Sequence, residues 1–288
     1  MVPNDPTSSD PTGSDQRTVE ELAKALVEHI RTQYYRVVVA FSGGVDSAVV
    51  AAAAFRGLGT DALAWTSLGA AVPESDRIAA QEVARSIGIE HIMLATSEID
   101  NPDYIANGPD RCFHCKSTLY AAIAQWAQQH RFETILSGTN ADDLGDYRPG
   151  LKAAEQWQVQ APLADLGYTK QQVRGIAKHW GLTVSDKPAS PCLASRIAYG
   201  QVVTIGRLSR IETMEKWLSD HGFQDVRARL HADELLRLEL HSSQLVEALL
   251  EPMRSEILSK AVELGFRYAT IDIHGRSSGS MNRVLKDA

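Results

Sequence analysis

The chain has 288 residues, which is enough for two domains or for one large α/β unit. Hydrophobic residues make up 44% and charged residues 23% of it, the balance of an ordinary globular protein. The formal net charge of -7 excludes an overall attraction to nucleic acid or to an anionic membrane, and no apolar run approaches the length of a membrane span.

Residues 1–16 are rich in Pro, Ser, Asp, Thr and Gly and contain neither the basic nor the apolar part of a secretory signal. We predict that they form a disordered tail. The chain contains three cysteines, an odd number that argues against the disulfide framework of a secreted protein. Together these features predict a cytoplasmic protein.

The first predicted elements are a helix, a strand and a second helix. A helical pattern at 18–34 is followed by an apolar run at 37–41, which predicts a strand buried on both faces. A Ser-Gly-Gly turn interrupts this run, and an Ala-rich segment at 45–55 predicts the second helix.

The turn between this strand and helix has the features of a phosphate-binding loop. Gly43 and Gly44 let backbone amides approach an anion, and the helix N-terminus adds a favourable dipole. The hydroxyls of Ser42 and Ser47 can donate to phosphate oxygens, and Asp46 is compatible with a polyphosphate if Mg²⁺ lies between them. The string Ser-Gly-Gly-Val-Asp-Ser lacks the Gly-Lys-Ser/Thr of a Walker loop. It resembles the PP-loop of the ATP pyrophosphatases, which split ATP between the α and β phosphates and adenylate a substrate oxygen.

Strands and helices alternate strictly in the next part of the chain. The pattern predicts strands at 62–66, 89–94 and 134–136, with helices at 73–87 and 116–130 between them. This alternation predicts a parallel sheet covered on both faces, whose ligands lie beyond the carboxyl ends of the strands.

The segment after the strand at 134–136 ends at the same edge as the phosphate loop. We expect Gly138 to line the nucleotide site, and either Asp142 or Asp143 to help hold Mg²⁺. Arg148 is a candidate phosphate ligand. An ordinary exposed loop is the alternative, and the spacing does not distinguish the two aspartates.

The rest of the chain predicts a second, smaller domain. A helix at 170–180 leads to a proline-rich loop at 185–197, which is too polar for a core and has the length of a functional loop. The further predicted elements are a helix at 205–221, strands at 225–230, 235–240 and 267–273, and helical segments over 242–264. We predict these units: a PP-loop domain at 17–200, an α+β substrate-binding or oligomerisation domain at 201–274, and a flexible tail at 275–288.

The three cysteines are candidates for metal or redox chemistry. Cys112 and Cys115 form a C-x-x-C pair, which can chelate zinc, carry an iron–sulfur cluster or cycle as a disulfide, and Cys192 lies in the proline-rich loop. Two unremarkable cysteines at a helix start are the plain alternative. His114 would point elsewhere if this segment is already helical, and the sequence offers no obvious fourth ligand for a structural zinc near Cys192. Three thiolates suit a [4Fe–4S] cluster with one iron open to sulfide, and Lys116 can lower a thiol pKa or contact a phosphate.

Two arginines of the second domain are candidates for binding an anion. Arg227 and Arg229 are two residues apart and share one face of a predicted strand, so both guanidiniums can meet the same ligand. Arg196, four residues after Cys192, is a further candidate for a substrate phosphate. We expect three glutamates to be mostly solvated: Glu215, Glu234 and Glu239.

Four motifs, taken together and in order, resemble the LarE family. They are Ser-Gly-Gly-Val-Asp-Ser, Arg-Cys-x-x-Cys-Lys, Gly-Thr-Asn-Ala-Asp-Asp-x-x-Asp-Tyr-Arg-Pro-Gly, and Lys-Pro-Ala-Ser-Pro-Cys-Leu-Ala-Ser-Arg-Ile, and the resemblance covers residues 18–273. It implies a parallel-sheet PP-loop ATP pyrophosphatase domain of the adenine nucleotide α-hydrolase type, with a smaller α+β C-terminal domain. It also implies ATP-dependent sulfur transfer to pyridinium-3,5-biscarboxylic acid mononucleotide, in the synthesis of the nickel-pincer cofactor of lactate racemase. In that reaction a carboxylate is adenylated, pyrophosphate is released, and sulfur then displaces AMP.

The resemblance also implies roles for individual residues. Members with one cysteine, at the position of Cys192, sacrifice its sulfur and end as dehydroalanine. Members with the added pair are expected to carry a [4Fe–4S] cluster on three cysteines, so that sulfide or another donor renews the sulfur. The residues implied for catalysis are Cys112, Cys115, Cys192 and Asp46. Those implied for substrate binding are Arg196, Ser195, Arg227, Arg229 and Lys116, with Glu215 near a metal, and the family implies a hexamer.

Other functions remain open at this point. A tRNA thiolase also combines a PP-loop with cysteines, although the acidic net charge and the lack of a recognisable RNA-binding module argue against it. An amide-forming PP-loop ligase would need ammonia, and a nucleotide-binding iron–sulfur or zinc redox sensor would need no turnover.

Overall fold

The computed structural model describes residues 17–145, 149–188, 190–277 and 279–285. The predicted tail at 1–16 and the candidate ligand Arg148 lie outside these ranges. None of the described helices has the length and hydrophobicity that a membrane crossing would require.

The first half of the chain builds a parallel sheet. Its strands are β1 (Val37–Ala40), β2 (Ala62–Ser67), β3 (Glu90–Leu94) and β4 (Thr134–Leu136), in the order β3-β2-β1-β4. Each of the three pairings is parallel, and Val38 of the central strand β1 lies opposite Leu63 and Ile135. This is the α/β arrangement that the alternation of strands and helices predicts.

Helices cover both faces of this sheet. They are α1 (Val19–Gln33), α2 (Val45–Leu58), α3 (Glu74–Ile87), α4 (Pro102–Ile105), α5 (Arg111–His130), α6 (Pro149–Gln156), α7 (Pro162–Asp165) and α8 (Lys170–His179). Val37 and Val39 pack in one core with α1, α2, α3 and α8, whereas Val38 packs in another with α5 and α6. Side chains alternate between the faces of a strand, so an uninterrupted apolar run fills both cores.

The start of α5 differs from the prediction. The sequence predicts a helix from Lys116, which is wrong because α5 begins at Arg111 and includes both cysteines of the C-x-x-C pair. No glycine or proline interrupts Arg111 to Cys115, and the Phe113 N–H already donates to the Asp110 carbonyl at 2.7 Å. The short helices α4, α6 and α7 were also missed.

The second half of the chain builds a smaller sheet. Its elements are α9 (Ile205–Asp220), β5 (Arg227–His231), β6 (Leu235–Glu239), α10 (Leu245–Leu249), α11 (Met253–Glu263) and β7 (Tyr268–Ile271). Strand β6 pairs antiparallel with β5 and parallel with β7.

The core of this second sheet includes residues that precede Gly200. Leu193, Ala194 and Ile197 are at most 2% exposed and pack in it, together with Ala71 and Tyr104. The prediction that the whole 185–197 loop is too polar for a core is therefore wrong at its end. Two backbone contacts hold that end: the Leu193 N–H donates to the Ala71 carbonyl at 2.8 Å, and Ile197 bridges to β5. The division into domains near Gly200 stays a prediction.

Candidate active site

The loop between β1 and α2 is held in shape by its own hydroxyls. The Ser47 hydroxyl accepts from the Ser42 N–H at 3.2 Å and donates to the Gly44 carbonyl at 3.0 Å. Gly43 has a φ of +69°, and a Cβ on it would lie 2.7 Å from the Cα of Ala80 on α3. Only glycine fits there. Ser42 is exposed and Ser47 is buried, so their roles differ: Ser42 can meet a ligand, and Ser47 shapes the loop.

The end of β4 packs directly on this loop. A Cβ on Gly138 would lie 2.6 Å from the backbone nitrogen of Ser47 and 2.9 Å from the carbonyl carbon of Asp46. Because Gly138 has no side chain, the end of β4 and the phosphate loop can touch. These are the two segments that the sequence predicts at one edge of the sheet.

Asp46 is held by two residues that the sequence analysis missed. The Lys170 ammonium, from the first residue of α8, forms an ion pair with the Asp46 carboxylate, and the Asn140 amide donates to it at 3.3 Å. Asp142 accepts from the Lys170 N–H at 2.8 Å, whereas Asp143 accepts from the Asn140 N–H at 3.2 Å. Of the two aspartates, Asp142 thus contacts the lysine that pairs with Asp46. The Thr169 capping box marks the start of α8, but no local pattern indicates that Lys170 reaches Asp46.

The three cysteines differ in exposure, and burial, Cys192 and Cys112 each raise the pKa of Cys115. Cys112 is exposed, whereas Cys115 and Cys192 are half-buried, and the C-x-x-C spacing places Cys112 and Cys115 on neighbouring turns of α5. Burial first, and then the neighbouring Cys192 thiol, raises the pKa of Cys115 to about 12. His114 instead lies beside Asp110, with its Nε2 3.2 Å from a carboxylate oxygen. Within the described ranges, no group of three or more His, Cys, Asp or Glu side chains is arranged so that it could hold a metal ion.

Two polar groups that the sequence analysis did not single out lie near these thiols. Arg111 is 5% exposed, donates to the Ala194 carbonyl at 2.9 Å and places Nη2 4.0 Å from the Cys112 sulfur. Burial lowers the pKa of the Arg111 guanidinium, but the Cys192 and Cys112 sulfurs together have the larger effect, so its pKa is raised. The Tyr104 hydroxyl is buried and has no hydrogen-bond partner among the described residues, and burial, with the charges of Cys192 and Cys115, raises its pKa.

A cavity of about 470 Å³ lies beside Cys112, and five of the side chains that line it are cationic. Its cationic side chains are Arg111, Lys116, Arg227, Arg229 and Arg276. No acidic residue lines it within the part of the chain that the structure describes. Burial, and the neighbouring cations Arg196 and Arg276, lower the pKa of Arg227. Five of the predicted site residues line this cavity: Cys112, Lys116, Ser195, Arg227 and Arg229. Arg276 also lines it, although the sequence analysis did not name it.

One wall of the cavity rests on a buried ionic network. Arg229 donates to Glu239 at 2.8 Å and to the Ser280 hydroxyl at 3.2 Å, while its buried Nε has no partner among the described residues. The prediction that Glu239 is solvated is wrong, since it is 0% exposed. Burial raises its pKa, but hydrogen bonds from Arg229 and Ser280 outweigh this and lower it. Arg237 also contacts Glu239, at 3.1 Å. Ser280, which takes part in this network, belongs to the segment predicted as a flexible tail.

Arg196 is not on the wall of the cavity. It is 2% exposed and forms a two-point ion pair with Glu215, and it also donates to the Cys192 carbonyl at 3.0 Å. Glu215 accepts a further bond from the Ala228 N–H at 2.9 Å, so it is not the solvated charge that was expected. Glu234 is likewise half-buried, between Arg207 and Arg210. The roles of Arg196 in phosphate binding and of Glu215 near a metal stay predictions.

The parallel sheet and its glycine loop define an ATP-utilising PP-loop protein, and the comparisons agree. A family model described as asparagine synthase matches residues 18–273. The chain is 39% identical over 250 residues to the uncharacterized protein slr1717 of Synechocystis sp., covering 87% of this chain and 93% of that one. It is 32% identical over 259 residues to the pyridinium-3,5-bisthiocarboxylic acid mononucleotide synthase of Lactiplantibacillus plantarum, covering 88% and 91%. The chain belongs to the LarE family of PP-loop ATP pyrophosphatases and is a sulfurtransferase, as the four motifs indicated.

A more distant relative bears on the rival function. The tRNA-specific 2-thiouridylase MnmA of Desulforamulus reducens is 31% identical over 198 residues, which covers 54% of this chain and 53% of that protein. The match spans only part of each protein, whereas the match to the synthase spans most of both.

Proposed function

We propose that the protein adenylates a carboxylate of pyridinium-3,5-biscarboxylic acid mononucleotide and replaces its oxygen by sulfur, in the synthesis of the nickel-pincer cofactor of lactate racemase. The observation that carries this proposal is the cavity beside Cys112 with its five cationic side chains. The substrate bears a phosphate and two carboxylates, so its charge matches this wall. The name of the Lactiplantibacillus relative gives the same product.

The first step makes the carboxylate reactive. A carboxylate oxygen attacks the α-phosphorus of ATP, the bond from that phosphorus to the bridging oxygen breaks, and pyrophosphate leaves. Asp46 would hold the Mg²⁺ that supplies charge neutralisation on the leaving group, and Asp142, which accepts from the Lys170 N–H, is the second candidate ligand. Backbone amides of the loop at Gly43 and Gly44, at the start of α2, would bind the phosphates.

The second step introduces sulfur. A sulfur nucleophile attacks the acyl carbon, and AMP leaves with the former carboxylate oxygen. With hydrosulfide as the nucleophile, the thioacid that forms loses its proton at neutral pH, which leaves a thiocarboxylate. The same two steps on the second carboxylate give the bisthiocarboxylate.

We further propose that Cys112, Cys115 and Cys192 hold a [4Fe–4S] cluster. The placement of the three thiols supports it: Cys112 and Cys115 lie on neighbouring turns of α5, and Cys115 and Cys192 pack against the same hydrophobic core. Arg111 is buried, and the Tyr104 hydroxyl has no partner within the described ranges, so both would be hydrogen-bond donors to the sulfurs of an anionic group. When bound, the cluster would supply a sulfide nucleophile to the activated carboxylate. Cys112 lies on the cavity wall and Cys192 does not, which favours a shared carrier over direct attack by Cys192.

An oligomer, with the hexamer of the family as the expected form, completes the proposal. The segment from α10 to α11 leaves several large apolar side chains between 52% and 67% exposed: Val246, Leu249, Leu250, Leu258 and Val262. Surfaces of this kind commonly mark protein contacts.

The test is the reaction itself. Anaerobically purified protein is incubated with ATP, Mg²⁺, sulfide and the biscarboxylate mononucleotide, and pyrophosphate, AMP and thiocarboxylate are measured. We expect one AMP and one pyrophosphate for each sulfur introduced, and no pyrophosphate from the Asp46→Ala variant, whose fold is checked by circular dichroism. Pyrophosphate release with tRNA and not with the mononucleotide would identify a thiolase instead.

A further inference from the structure

Helix α3 contacts both the phosphate loop and the loop that carries Cys192. Ala80 lies against the phosphate loop, since a Cβ on Gly43 would come within 2.7 Å of its Cα. Asp76 is four residues earlier, on the same side of the helix. Its carboxylate faces the Cys192 loop: one oxygen is 3.0 Å from the Lys187 ammonium, and the other accepts from the Ser190 hydroxyl at 2.9 Å.

The contacts of Asp76 hold the Lys187 and Ser190 side chains of the loop. Arg174 holds the beginning of the loop through the Ser185 and Lys187 carbonyls, and Arg196 holds its end through the Pro191 and Cys192 carbonyls. Within the described ranges, Asp76 is the hydrogen-bond partner of both the Lys187 and the Ser190 side chains. The Asp76 side chain is 18% exposed and that of Lys187 is 28% exposed, so water screens this ion pair less than a surface pair.

We propose that Asp76 is a positioning residue for sulfur transfer, a role that rests on the proposed function. Through the rigid helix α3, it fixes the Cys192 loop relative to the phosphate loop. The acyl adenylate forms at the phosphate loop and must then meet the sulfur carrier. Loss of the Asp76 contacts therefore impairs the transfer of sulfur and not the adenylation, because the described side-chain contacts of Asp76 are with the Cys192 loop and not with the phosphate loop.

Two half-reactions separate this role from a merely structural one. In the Asp76→Asn variant, pyrophosphate release should stay close to the wild-type rate, while thiocarboxylate formation falls about tenfold or more. The stranded acyl adenylate hydrolyses, so more pyrophosphate than thiocarboxylate is formed. Glu82→Gln, at an exposed position of the same helix, is the matched control and should change neither rate. An equal loss of both activities, or an unchanged transfer rate, would overturn the proposal.

Hydrogen exchange tests the loop contact without reference to activity. In the full chain, the amides of residues 185–193 should exchange faster in Asp76→Asn than in the wild type or Glu82→Gln. Ser190→Ala removes one of the two contacts from the loop side and should act in the same direction, which keeps the test valid if Asp76→Asn does not fold. Unchanged exchange in a folded variant would contradict the proposal. A wild-type protein that forms no thiocarboxylate would refute the proposed function, and the exchange result would still decide the loop contact.

Discussion

Arg196 and Glu215 form a two-point ion pair, with Nε 3.0 Å from Oε1 and Nη2 3.2 Å from Oε2. Their side chains are 3% and 17% exposed. The same guanidinium binds the carbonyl of Cys192, and the same carboxylate binds the backbone of β5. The ion pair of Arg196 and Glu215 therefore links the loop that carries Cys192 to the second sheet.

Arg196→Met should lower the free energy of unfolding by about 3 kcal/mol, because it leaves the buried Glu215 carboxylate without its cation. Lys216→Met is the control on the same helix: its pair with Asp220 is 70% and 59% exposed, so the loss should stay below about 0.5 kcal/mol. Urea unfolding measures the free energy of unfolding of both variants. Equal stabilities of the two variants would contradict the fastening role.

Gly138→Ala should disrupt the nucleotide site. The added Cβ would lie 2.6 Å from the Ser47 nitrogen, so either the phosphate loop or the end of β4 must move. We expect a much higher KM for ATP in pyrophosphate release. Gly145→Ala is the control, since no atom of the described residues lies within 4 Å of a Cβ there. A KM for ATP equal to that of the control would show that the close contact is not needed.

Arg227→Met should weaken binding of the mononucleotide. Arg227 contacts Asp225 at 3.1 Å, and the cavity wall otherwise offers it no acidic partner among the described residues. Loss of one charge-assisted bond of about 1.5–3 kcal/mol corresponds to about a ten- to hundredfold higher KM for the mononucleotide, with the KM for ATP unchanged. Arg254→Met, at an arginine that is 60% exposed on α11, should change neither KM. Equal effects of both substitutions would place the anion elsewhere.

The phosphate loop and the parallel sheet could be predicted because their signals are local. An apolar run at Val37–Ala40, a glycine turn and an Ala-rich helix follow one another within about twenty residues. The partners in the site could not be predicted in this way. Lys170 reaches Asp46 across 124 positions, and Ser280 lies 41 positions from Glu239. From the sequence alone, Glu239 is expected to be a solvated charge on a strand, and only the tertiary fold surrounds it with Arg229, Arg237 and Ser280.

The cysteine helix shows a second limit of prediction. Helix propensity and caps set the start of α5 only weakly, so a start at Lys116 and one at Arg111 are both compatible with the sequence. The difference matters, because the earlier start places Cys112 and Cys115 on one helix and turns His114 to Asp110.

The number of sulfur atoms transferred per chain tests the central claim most directly. Anaerobically purified, iron-loaded protein is given excess sulfide, ATP and the biscarboxylate mononucleotide, and thiocarboxylate is counted while the protein is weighed by mass spectrometry. We predict several thiocarboxylates per chain, an intact Cys192, and loss of repeated turnover in Cys112→Ala. One thiocarboxylate per chain, with dehydroalanine at Cys192, would contradict the cluster and show that the protein consumes its own cysteine.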